Sequence, residues 1–157
     1  MNYINISNEN RTMVNEFIIQ HLFSTIMIVR GKEVDLSKVD GMIALENNEI
    51  KGLITYILYN GICEIMSLDS VEQSKGIGTE LVHHIIDIAK ESKCTRILLI
   101  TTNDNINALR FYQKRGFDMV MLYHNALDKS RKLKPDIPLI GENNIPLKHE
   151  IELEMIL

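Results

Sequence analysis

Apolar positions fall in short β-prone runs through the first half of the chain and shift to helical spacing in the second. Tyr3, Ile4 and Ile6 predict a first strand, and Ser7 or Asn8 is placed to cap a helix reaching about Phe23. Met42 to Leu45 and Ile50 to Tyr59 form two apolar runs parted by Glu46-Asn47-Asn48-Glu49. Asn60-Gly61, a dipeptide suited to a two-residue hairpin turn, joins the second run to Ile62 to Leu68. These three runs predict an antiparallel meander. The period then changes: Leu81, Val82, Ile85, Ile86 and Ala89 make one stripe of a helix from Thr79 to Glu91, leaving His83, His84, Asp87 and Lys90 on the wet face. A strand (Arg96 to Thr102), a helix (Asn105 to Arg115) and strands at Phe117 to Tyr123 and Ile151 to Ile156 follow. Hairpins combined with one βαβ crossover predict an α+β (mixed α/β) fold, a mixed sheet covered by helices on both faces.

At 157 residues, one domain spanning 1–157 is expected. Hydrophobic content of 45% and charged content of 24% are those of a soluble globular chain. A net charge of −4 supplies no basic footprint, so nucleic acid is not an expected partner. The longest apolar stretch, Phe17 to Val29, is broken by Gln20, His21, Ser24 and Thr25 and is too short to span a bilayer; no membrane partner is expected. The first residues lack the basic patch and apolar core of a secretory signal, which makes the cytoplasm the expected location. Cys63 and Cys94 have no metal-like spacing, and no two histidines lie one helical turn apart, so no metal is expected.

Between the strand ending near Leu68 and the helix from Thr79 lies Gln73-Ser-Lys-Gly-Ile-Gly78. A glycine-rich turn feeding a helix N-terminus leaves backbone N–H groups pointing one way, where the helix dipole adds positive potential: a seat for phosphate. Gly76 and Gly78 suit such a seat, because a side chain would block close approach or forbid positive φ. Two glycines alone also fit a plain βα turn.

The next helix sharpens the reading. In Asn105-Ile-Asn-Ala-Leu-Arg-Phe-Tyr-Gln-Lys-Arg-Gly-Phe117, the residues Asn105, Ala108, Leu109 and Tyr112 share one helical face. Gln-x-x-Gly-x-Gly followed, after one helix and one strand, by Asn-x-x-Ala-(x)3-Tyr-x-Lys-x-Gly-Phe closely resembles the GNAT superfamily of acyl-CoA-dependent N-acetyltransferases. The resemblance covers residues 41 to 123, and more loosely 2 to 23; Gln73 stands where many members carry Arg. It implies the GNAT fold, with a mostly antiparallel sheet of about seven strands, and acetyl-CoA as co-substrate. It further implies direct attack by an amine in a ternary complex. By the same match, backbone amides of Gln73, Lys75, Gly76, Ile77, Gly78 and Thr79 hold the pyrophosphate. Backbone near Leu68 pairs with pantetheine, Asn105 and Ala108 border that arm, and Lys114 reaches a CoA phosphate. Tyr112 lies near the sulfur as general acid, and the strand before the loop supplies a glutamate base, here Glu64.

The chemistry of these side chains fits those roles. An alkyl ammonium with pKa near ~10.4 is neutral about one part in a thousand near pH 7.4, a handicap of roughly 4 kcal/mol that a base or desolvation must offset. Glu64 lies in the strand leading to the loop, either as that base or as a structural carboxylate, and a bulge in the strand changes which face it occupies. Asp69 and Glu72 read as capping or solvated groups. A phenol near ~10 can protonate a leaving thiolate whose thiol has pKa near ~8.5, whereas a core tyrosine would only satisfy a carbonyl. A non-catalytic acyl-CoA sensor of the same fold is the alternative, and retention of Tyr112 argues against it. A Rossmann fingerprint fails because Leu81 occupies its third glycine position. The acceptor stays open among amino acids, polyamines, aminoglycosides, peptide N-termini and protein lysines, and both monomer and homodimer are compatible with the pattern.

The inserted segment 124–149 precedes the last strand and holds all three prolines, Pro135, Pro138 and Pro146. With Ile137, Leu139 and Ile140 as apolar anchors, it is expected to be ordered. It carries five basic and three acidic side chains, leaving the rest of the chain at −6. A basic flap on an acidic body predicts an acceptor-site wall in which Arg131 and Lys134 hold an anionic group of the acceptor; the other reading is a solvated helix followed by a structural clasp.

Overall fold

The computed structural model describes residues 1–157. In chain order the elements are β1 (Asn2–Asn5), α1 (Arg11–Leu22), β2 (Ile26–Val29), β3 (Lys32–Asp35), a 3-10 turn (Leu36–Lys38), β4 (Asp40–Glu46), β5 (Glu49–Tyr59) and β6 (Ile62–Ser70). There follow α2 (Ile77–Glu91), β7 (Arg96–Thr102), α3 (Ile106–Lys114), β8 (Asp118–Tyr123), α4 (Ala126–Leu133), a second 3-10 turn (Glu142–Asn144) and β9 (Glu150–Ile156). Seven strands make one sheet in the order β1-β4-β5-β6-β7-β9-β8, so the mixed fold with a mostly antiparallel seven-stranded sheet holds. The chain packs as two units, Met1–Met27 with Asp35–Ile97 and Leu157, and Ile28–Val34 with Leu98–Ile156.

In the first unit the expected meander is present: β4 pairs antiparallel with β5, and β5 with β6. The hairpin between β5 and β6 turns on Asn60 (φ 48) and Gly61 (φ 72), as a two-residue turn of this hand requires. Helix α2 packs on β4, β5 and β6. Its buried residues are Ile77, Leu81, Val82, Ile85 and Ala89, while Ile86 is half-buried. His84, expected on the wet face, is half-buried, and its ring lies 5.1 Å from that of Tyr3 in β1. The start of α1 also differs from expectation. Asn10, not Ser7 or Asn8, precedes the helix; its Oδ1 accepts from Ser7 N at 2.8 Å and its Nδ2 donates to Asn5 O at 3.0 Å. That bracket spends residues 7 to 10 on a turn.

The β2–β3 hairpin lies where the sequence shows only the tail of an apolar stretch. Its tip is Arg30 (φ 51) and Gly31 (φ 70), and Lys32-Glu33-Val34-Asp35 lacks the alternation that announces a strand.

In the second unit β8 pairs antiparallel with β9, and Leu153 is fully buried. Segment 124–149 holds α4 and the second 3-10 turn, and of its expected anchors Ile137 is half-buried while Leu139 and Ile140 are not anchors. Leu127, Ser130 and Leu147 are buried, whereas Leu139 and Ile140 are 72% and 51% exposed. An isolated bridge between Ile140 and Pro146 holds that stretch by its backbone, which frees those two side chains from the core.

Candidate functional site

The glycine turn of the first unit is left-handed at two positions just before α2. Gly76 sits at φ 77 immediately before α2, and Ser74 is also left-handed at φ 66. A Cβ on Gly76 would meet nothing, so glycine serves conformation there rather than space. The first backbone bond of the helix runs from Glu80 N to Gly76 O at 3.0 Å, so the amides of Ile77 and Gly78 precede the intrahelical ladder. Gln73 and Lys75 are exposed, and Lys75 Nζ lies 3.7 Å from Glu72. Close packing seats the loop on the sheet. At Gly52 of β5 a Cβ would lie 2.5 Å from Ile77 Cγ2 and 3.1 Å from Leu81 Cδ1, so its hydrogen lets the first turn of α2 approach.

Glu64 is 2% exposed, and its Oε1 accepts from the Tyr59 hydroxyl at 2.7 Å. The β5–β6 pairing is irregular beside it. Thr55 faces Ser67 and Tyr56 faces Ile65, so the β5–β6 pairing skips Met66. The register sets Ile57 opposite Glu64, Thr55 opposite Ser67 and Leu53 opposite Asp69. Tyr59, Glu64, Thr55, Ser67 and Asp69 therefore share one face, and Gly52 with α2 takes the other. The Thr55 and Ser67 hydroxyls bond at 2.6 Å. Asp69 is a correction to the sequence reading: it is half-buried, and burial pushes its carboxyl above the usual range, partly countered by His21 of α1. Leu68 pairs with Ile54 on the opposite side of its strand. Burial pushes the Cys63 thiol up to about 12, which leaves it an inert packing group.

In the second unit Asn105 immediately precedes α3, and its Oδ1 accepts from Ala108 N at 3.1 Å. The amide therefore caps the helix. Tyr112 is 6% exposed, and its ring meets those of Phe111 and Phe117 edge-on at 5.1 and 5.3 Å. Arg115 lies 3.7 Å over Phe111 and donates to its carbonyl. Lys114 is exposed.

Arg131 is a correction. Its guanidinium donates to the carbonyls of Ile137, Pro138 and Leu147 and pairs with Asp128 at 3.4 Å. A fork satisfied by three backbone acceptors works as a clasp for its own segment and has little left for an acceptor anion. Lys134 is half-buried at the end of α4, where its amide donates to Ser130 O. Sequence reasoning missed Asn103 and Asp104, which carry most of the polar bonding at the turn before α3. Their adjacency to Asn105 was the one available signal.

Residues 19–117 match the acetyltransferase (GNAT) family. The uncharacterized protein YxbD of Bacillus subtilis (strain 168) is 43% identical over 154 residues, 98% of this chain and 97% of that protein. Streptothricin acetyltransferase A of the same organism is 36% identical over 87 residues, 52% of this chain and 50% of that protein. Among solved structures, a Bacillus subtilis acetyltransferase in complex with CoA superposes with a TM-score of 0.70 at 22% identity, covering 99% of this chain and 97% of that one. With most of its length matched and a near full-length relative at this identity, the chain belongs to the acetyltransferase (GNAT) family.

Proposed function

We propose that this protein transfers the acetyl group of acetyl-CoA to a primary amine by direct attack in a ternary complex. The observation that carries the reading is Gly76 held left-handed at the mouth of α2, which opens the helix N-terminus to a pyrophosphate. CoA in the solved Bacillus subtilis relative supports the same ligand class.

The reaction has three demands. The acceptor ammonium must lose a proton; Glu64, buried and oriented by Tyr59, suits a base acting directly or through one water. The thioester carbonyl must be polarised as its oxygen gains charge, a task for N–H donors, and the backbone near Leu68 is proposed to pair with the pantetheine arm that carries it. The departing thiolate must be protonated, and Tyr112, whose ring packs edge-on against Phe111 and Phe117, supplies a phenol for it. The amine nitrogen bonds to the acetyl carbon, the carbon–sulfur bond breaks, and CoA leaves as the thiol.

The test is CoA release from acetyl-CoA over a panel of amines, paired with calorimetry of acetyl-CoA binding. Binding without added metal, lost in Gly78→Glu because bulk and negative charge fill the seat, is the expected result. Unchanged affinity in a folded Gly78→Glu protein removes the phosphate loop from the site.

A further inference from the structure

The turn between β7 and α3 is held from outside by the far end of segment 124–149. Asn103 Oδ1 accepts from Lys148 N at 3.0 Å and His149 N at 2.9 Å, and its Nδ2 donates to Pro146 O at 2.9 Å. Its own amide donates to His149 O at 3.0 Å. Asp104, 5% exposed, accepts from Thr102 Oγ1 at 2.5 Å and from Glu142 N at 2.8 Å, while its carbonyl takes Asn143 Nδ2 at 3.3 Å. Gly141 makes room: a Cβ there would overlap the Asp104 carboxylate, and with φ −98 the need is for space, not conformation.

These bonds close on the next residue. Asn105 N donates to Thr102 O at 3.1 Å and Ile106 N to Asp104 O at 2.9 Å, so the cap of α3 is built directly on the braced pair. Helix α3 has nine residues and one buried side chain, Tyr112, toward its far end. So short a helix is not stable alone, and its N-terminal turn has no core anchor of its own. A buried carboxylate is also costly unless its acceptors are matched, and here the matching donors come from both β7 and the 141–149 strap.

We propose that Asn103 and Asp104 are positioning residues for the acetyl-CoA site: the 141–149 strap grips them and so fixes the place of Asn105 and the first turn of α3. This rests on the acetyl-CoA reading above. It gives the strap the task of bracing the cofactor's helix in place of walling the acceptor. Small displacements matter because a shift of ~1 Å at a positioned group can cost on the order of 10²-fold in rate.

The test uses Asp104→Ala, Gly141→Ala, the double variant and Asp104→Asn in the full chain. Acetyl-CoA affinity is measured by calorimetry, acceptor KM by CoA release, and amide exchange at Ala108 and Leu109 by NMR. Each alanine variant is expected to weaken acetyl-CoA binding roughly tenfold, with acceptor KM unchanged and faster exchange confined to the start of α3. The double variant is expected to be no worse than either single one, since both break one joint. Asp104→Asn restores binding, because its oxygen can take Glu142 N–H while its NH₂ donates to Thr102 Oγ1. Wild-type affinity in the folded alanine variants, additive losses, or exchange that accelerates throughout the unit overturns this role alone. Absence of acetyl-CoA binding by the wild-type protein overturns the functional reading and this role with it.

Discussion

The Tyr59 hydroxyl donates to Glu64 Oε1 at 2.7 Å, joining the two arms of the β5–β6 hairpin through a carboxylate that is 2% exposed. The two side chains share a sheet face because Ile57 lies opposite Glu64, which sets Tyr59 on the diagonal. Tyr59 itself is 38% exposed, so the donor reaches from the rim toward a buried acceptor.

Glu64→Gln is expected to lower the rate of acetyl transfer and to recover part of the loss at high pH, where more of the acceptor is already neutral. Tyr59→Phe keeps the carboxylate but removes a donor from it, with an expected stability loss of about 1–3 kcal/mol in urea titration. A Glu64→Gln enzyme with wild-type rate and a flat pH response takes Glu64 out of the mechanism.

Gly52→Ala tests how α2 is seated. The new Cβ would press on Ile77 Cγ2 and Leu81 Cδ1, both on the helix that the glycine turn opens. Overpacking of this kind costs roughly 1–3 kcal/mol. Weaker acetyl-CoA binding should accompany the lower melting temperature. A variant that melts early yet binds acetyl-CoA normally shows that the turn tolerates a shift of its helix.

The glycine turn and the meander were legible because each depends on short-range rules, periodicity and Asn-Gly turn chemistry, whereas the cap that Asn105 makes to Ala108 N was not read from the sequence. The β2–β3 hairpin was not, because Lys32-Glu33-Val34-Asp35 has no strand pattern and the turn residues Arg30-Gly31 are not a strong turn pair. Arg131 misled for a related reason. Its charge is visible in sequence, but the carbonyls that consume it lie six to sixteen residues downstream and are brought near only by the fold. Asp104 reads as one loop acid among several until Glu142 N and the missing Cβ of Gly141 are placed around it.

Tyr112→Phe removes the phenolic proton while keeping the ring contacts to Phe111 and Phe117. If the hydroxyl acts as the thiolate leaves, turnover falls on the order of 10²-fold and acetyl-CoA affinity changes little. Single-turnover kinetics separate the chemical step from product release. Near-normal chemistry in the variant returns Tyr112 to a packing role.

Acidification should loosen segment 124–149 through His149. Its Nδ1 accepts from Asn125 N at 2.8 Å, directly before α4, and its ring stacks on His124 at 4.7 Å. Burial first, and then the neighbouring His124 and Lys148, lower its pKa from the ordinary value. The unfolded chain therefore takes up this proton more readily than the folded one. The stabilisation is complete above the unfolded value of about 6.5 and is lost as pH falls from there through the lowered folded value. A protonated Nδ1 also has no lone pair for the Asn125 amide. Amide exchange at Asn125 should be flat from pH 8 to 7 after correction for intrinsic rates, then accelerate below about 6.5. His149→Ala should be fast and flat across the range. Acceleration that persists in His149→Ala assigns the pH response to another group.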